Sequence, residues 1–177
     1  MNKRSKYFLL LRILIYFVEV IVFYVLQSSL YRFFNLAGAM PNLLIILVVS
    51  SAYMRGWVTG MTLGFFSGLL VDILFGNIIG VYAMIMMLIG YLTGFANRIY
   101  SKDDFTLPLV FTAVADFLYQ FLYYVFEFLL RGKLDFSYYF RKIILPEIIY
   151  TVAASILVYK LLHMINHALD RNEFKEE

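Results

Sequence analysis

From Ile13 to Tyr31 the chain carries one charge, Glu19, and five further apolar runs follow at about 39–54, 57–75, 78–97, 105–130 and 143–162. A bilayer core about 30 Å thick takes roughly 20 helical residues per crossing, so runs of this length and composition read as membrane spans. In hydrocarbon each backbone amide needs a partner within its own helix or in a closed barrel. These runs lack the alternation of a barrel strand, so the expected class is all-α. The chain of 177 residues is 63% hydrophobic and 15% charged, against about 25% charged in soluble domains. One multi-pass domain over residues 1–177, a six-helix transmembrane bundle, is therefore expected. The basic start (Lys3, Arg4, Lys6, Arg12) resembles a signal peptide, with Ala37-Gly38-Ala39 as its cleavage site. The apolar run behind it is too long for a signal core and reads as a retained anchor.

Orientation follows from lysine and arginine, which collect in cytoplasmic loops. With six spans and an inward amino terminus, the inside holds Lys3, Arg4, Lys6, Arg12, Arg55, Arg98, Lys102, Lys160, Arg171 and Lys175, ten of the fifteen. Both termini are thus expected in the cytoplasm. Four of the remaining five crowd into Arg131–Lys142, where Phe136, Tyr138, Tyr139 and Phe140 accompany them. That segment reads as an amphipathic collar along the outer membrane surface, or else as a docking surface. The charged tail after His163 is expected to fray.

Glycine recurs at 56, 60, 64, 68, 76 and 80, with Asp72 on the beat that glycine skips. Four residues turn a helix by about 400°, so Gly56, Gly60, Gly64 and Gly68 form a drifting strip without side chains. Because lipid tails are as apolar as leucine, helices in a bilayer associate through close packing, and small residues permit it. The strip therefore predicts a tightly seated neighbour, either a helix of the same chain or a partner or second copy. Glycine costs a helix about 1 kcal/mol against alanine in water, which that neighbour has to offset. Asp72 is expected to cap a helix end where Gly76-Asn77 turns the chain into the next span. Pro41-Asn42 similarly reads as the start of the second helix.

A second row lies in the fifth run. Thr112, Asp116, Gln120, Tyr123 and Glu127 share one helical face and cannot all meet lipid, so they either knit the bundle or line a polar pocket. Asp116 and Glu127 stand about 16 Å apart along the helix, too far for a glycosidase-type pair. Glu19, with Arg12 on its face, and Glu147, just after Pro146 and ahead of Thr151, Ala154 and Ser155, turn further polar sides inward.

Chemistry is sparse. The chain has no cysteine and two histidines, His163 and His167. A histidine pair at a helix end without a third ligand reads as an interfacial anchor, so no metal and no cofactor are expected. No serine, histidine and acid fall in one plane, and catalysis is not expected. Two readings remain: a scaffold, from the packing motifs, and a small-ligand binding subunit, from the polar row.

Pro41-Asn42-Leu43-Leu44, the glycine ladder, Gly68-Leu69-Leu70 with Asp72, Gly76, Gly80 and Gly90-Tyr91, in that order, resemble the rod shape-determining protein MreD family. Members often carry aspartate after the proline, where this chain has Asn42. The resemblance implies a multi-pass protein of the bacterial inner membrane and a non-catalytic part in the elongasome. It implies work beside MreC, the MreB filament, RodA and a penicillin-binding protein, with no nucleic-acid partner. It further implies a bundle like the substrate-binding subunits of energy-coupling-factor vitamin transporters. On that analogy the alternative is a vitamin-binding transporter subunit, with Asp116, Gln120, Tyr123, Glu127 and Glu147 as its pocket. The glycine positions with Asp72 form the packing or partner face, where homodimer formation is one option.

Overall fold

The computed structural model describes residues 3–33, 40–76, 79–96, 106–127 and 136–174. They form α1 (Lys3–Phe33), α2 (Leu43–Arg55), α3 (Trp57–Phe75), α4 (Val81–Ala96), α5 (Thr106–Glu127), α6 (Phe136–Tyr139), a π-helical turn (Phe140–Ile144) and α7 (Leu145–Phe174). The last three are contiguous and make one rod, so six helical rods build the molecule, with no strand among the described residues. Among the described residues four stretches are long and apolar enough to cross a bilayer: Leu11–Ser29, Trp57–Leu74, Thr106–Phe126 and Phe136–His167. The other two rods are shorter apolar helices, Leu43–Arg55 and Val81–Phe95.

The short α2 is the axis of the fold. Its 13 residues rise about 20 Å, less than the bilayer core. Such a helix is stable there only if protein encloses it. Leu44, Ile45, Ile46, Leu47, Val48 and Val49 are all fully buried, whichever way they point, so α2 touches lipid on no side over that length. An apolar surface all round is the composition expected of an enclosed helix. The surrounding rods bury Val20, Leu63, Ile85, Ile89, Ala115 and Leu162 against it and turn Phe17, Phe66, Ile73, Val114, Ile149 and Leu157 outward.

Several boundaries differ from those expected. The second helix starts at Leu43, not 39, because the Asn42 side chain caps it by accepting from Ile45 N–H at 3.2 Å. The fourth starts at Val81, not 78, since Gly80 takes a left-handed φ of 104° that ends the preceding turn. The largest correction concerns the last rod, which begins at Phe136 and not at 143. The described part of the collar, Phe136–Lys142, is therefore helical and continuous with the final span, and Tyr139 is buried. Residues 131–135 lie outside the described residues. Aromatic rings hold this stretch to α5: Tyr124 meets Phe136 and Tyr139 with centroids 5.2 and 5.1 Å apart, and Phe121 meets Phe136 edge-on at 6.2 Å. Pro146 accounts for the π turn. A proline inside a helix has no N–H to give and clashes with the carbonyl four residues earlier. A wider turn relieves the clash, and Leu145 N–H reaches back to Phe140 O. The tail also departs from expectation, because α7 continues through Phe174 and buries Asn166.

Candidate functional site

The glycine strip lies against α4 of the same chain. A Cβ built on Gly60 would fall 2.6 Å from the Ala52 Cβ and closer still to Gly90 O. On Gly64 it would stand 2.7 Å from the Met86 carbonyl carbon, and on Gly68 2.6 Å from Ala83 N. Those contacts are mostly with main chain, so no side-chain rotation relieves them. The two helices touch backbone to backbone, and α4 contributes glycines of its own: Gly90 opposes Gly60, and Gly94 packs on Gly56 and Trp57. The remaining ladder positions do other work. Gly56 is not inside the strip but between α2 and α3, with φ 91° and open space where a Cβ would sit. Gly76 ends α3 in extended backbone, its N–H on Asp72 O, and Gly80 forms the turn into α4 with open space around it.

Asp72 completes the hairpin. It is 1% exposed, and its two carboxylate oxygens accept from Tyr82 N–H at 3.1 Å and Ala83 N–H at 2.9 Å. Those amides belong to the first turn of α4, where orphan donors and the positive end of the helix dipole favour a carboxylate. One side chain thus caps α4 from the end of α3.

The second cluster gathers around the amino terminus of α2. Asn42 N–H donates to Thr151 Oγ1 of α7 at 3.0 Å, and Leu44 N–H to Gln27 Oε1 of α1 at 3.1 Å. Beside Thr151 lies Asp116 of α5, fully buried, with neither oxygen in a well-formed hydrogen bond. Glu147, half-buried one residue past Pro146, faces the Gln120 amide and stands near enough to Asp116 for their charges to interact. Gln120 also accepts from the Tyr139 hydroxyl at 3.3 Å. Tyr123 stacks with Tyr82 at 5.6 Å, while Thr112 turns its hydroxyl back to Pro108 O. Asp116, Gln120 and Glu147 are therefore brought together, with Tyr123 at the α4 side. The Glu127 side chain lies outside the described residues. Sequence spacing could not reveal the part played by Asn42 and Gln27, because Asn42 and Thr151 are 109 positions apart.

Glu19 is buried on α1 with no hydrogen-bond partner, and the cation whose field reaches it is Arg55 of α2. Arg55 Nε donates to Asn166 Oδ1 of α7 at 2.9 Å, tying the other end of α2. His163 stacks on Tyr159 at 6.2 Å and neighbours His167 at 6.5 Å. No group of three His, Cys, Asp or Glu able to hold a metal occurs among the described residues.

A family model described as rod shape-determining protein MreD matches residues 6–165. Searches of curated proteins and of solved structures returned no match. The match spans nearly the whole chain, and the chain belongs to the MreD family, a multi-pass membrane protein with a role in rod shape determination.

Proposed function

We propose that this MreD-family chain is a non-catalytic scaffold of the elongation machinery. In this reading it is a single multi-pass domain of the bacterial inner membrane that binds MreC and helps couple MreB filaments to the peptidoglycan synthases, RodA and a penicillin-binding protein among them. On this reading the six rods all cross the bilayer and return both termini to one side, for which the basic residues favour the cytoplasm. The observation that carries the reading is the enclosed α2: the centre of the bundle is filled by a helix without exposure from Leu44 to Val49. A solid centre flanked by a hairpin in main-chain contact suits a rigid platform. The likeness to energy-coupling-factor binding subunits stays part of the proposal. The test is co-purification of MreC with the full chain from membranes, together with cell shape on depletion. The scaffold reading expects MreC in the eluate and rounded cells. Rod-shaped cells on depletion, or a folded chain that captures no MreC, would refute it.

One observation favours the small-ligand reading, namely the buried Asp116 carboxyl, in no well-formed hydrogen bond, beside Thr151, Glu147 and Gln120. A bound small molecule in native mass spectra of the purified protein, lost in Asp116→Ala, would establish it. Spectra of the protein free of any such mass would leave the scaffold.

A further inference from the structure

The flank between α1 and α3 holds a groove of about 490 Å³. Ile13, Phe17 and Ile21 form one wall; Phe66, Leu70 and Ile73 the other. Thr62, which with Tyr16 brings a hydroxyl to the lining, turns its own onto Val58 O and Thr59 O at 3.0 Å, so that hydroxyl is already engaged. From Thr62 to Ile73 the helix rises about 16 Å, close to half of the roughly 30 Å core, so the groove is one leaflet deep. The apolar part of α1 begins at Leu11, two residues before the groove's first lining residue, Ile13. Arg12 is half-buried there, one turn before Tyr16 and two before Val20 on the lining face. Lys3, Arg4 and Lys6 precede it on the same helix.

We infer that this groove holds one acyl chain of an anionic phospholipid, with the phosphate met by Arg12 of α1. Two features select that occupant over a protein helix. Helices that associate in a bilayer approach through small residues, whereas this lining is bulky, and the small residues of α3 are already spent on α4. Arg12 stands one residue before the first lining position, Ile13, and one and two turns before Tyr16 and Val20. Basic residues near a surface each favour anionic lipid by about fivefold.

The test uses the single tryptophan. In a Trp57→Phe background, Phe66→Trp places a reporter in the groove wall, and Ile149→Trp places one on the lipid face of α7; both positions are more than half exposed. The full chain is reconstituted in phosphatidylcholine vesicles containing either brominated phosphatidylglycerol or brominated phosphatidylcholine. The groove reporter is expected to be quenched at about fivefold lower mole fraction of the anionic lipid. The α7 reporter should show no such preference, and Arg12→Gln should remove it from the groove. Equal quenching by both lipids at Phe66→Trp, or the same preference at both reporters, would overturn the inference. So would absence of quenching with the groove cross-linking to a second copy.

Discussion

Adding one methyl group at Gly64 should weaken this fold, although alanine is the better helix former. The new Cβ would stand 2.7 Å from the Met86 carbonyl carbon and nearer to its oxygen, where an ordinary contact begins at 3.4 Å. The helices must part by about 0.7 Å or more, a displacement of the kind that costs overpacked cores about 1–3 kcal/mol. Parting also loosens the neighbouring contacts at Gly60 and Gly68. Alanine returns at most about 1 kcal/mol of helix propensity, and less here, since a span stays helical in the membrane even when its bundle has opened. The expected net loss for Gly64→Ala is about 2 kcal/mol, or roughly 30-fold in the folding equilibrium. Reversible unfolding in mixed micelles measures it, with Trp57 as the probe because its ring lies edge-on to Tyr91 at 6.1 Å. Met86→Ala supplies the decisive control. The obstruction is main chain, so trimming that side chain should rescue nothing. Unchanged or raised stability of Gly64→Ala, or recovery in the double variant, would refute backbone contact as the basis of the hairpin.

Asp72→Ala should cost about 1–2 kcal/mol as a lost cap, with faster hydrogen exchange at Tyr82 and Ala83; exchange that rises evenly along α4 would argue against capping. Asp116→Asn should keep or raise stability by up to about 2 kcal/mol, since it removes a buried carboxyl that is in no well-formed hydrogen bond. A loss above about 1 kcal/mol in the same unfolding assay would show that the carboxylate is needed as such. Pro146→Ala should let the π turn tighten and rotate Tyr139 away from α5. The chain has no cysteine, so a Tyr124→Cys, Tyr139→Cys pair reports this directly, and cross-linking should fall when Pro146 is replaced. Undiminished cross-linking would mean that something other than the proline sets the wide turn.

Periodicity carried far along this chain wherever one helix decides the outcome. The third run and α3 share the bounds 57 and 75, because glycines stop the helix at both ends. The inward face of α5 is legible from Thr112, Asp116 and Gln120 at a spacing of four, and all three are buried. Asp72 falls one turn before a chain reversal, and that alone suggests a cap. What spacing conceals is pairing between distant segments. Gly90 and Gly94 form the other half of the glycine contact, yet on α4 they look like any two small residues. The tie from Arg55 to Asn166 spans 111 positions and joins a loop-like arginine to a tail-like asparagine. Charge misled at the collar: Arg141 and Lys142 suggest a surface segment, but each stays exposed while the helix between Phe136 and Ile144 packs its aromatic side on α5.

The enclosed second helix also dictates an order of assembly. It is too short to settle in a bilayer by itself, and the N–H of its N-cap residue Asn42 finds its acceptor in Thr151, made 109 residues later. Until the carboxy-terminal rod arrives, that donor has no protein acceptor and one flank of the axis has no wall. The ribosome must therefore make that intervening stretch before the second helix can come to rest, so a nascent chain cut short ahead of Thr151 would leave quality-control proteases an open seam.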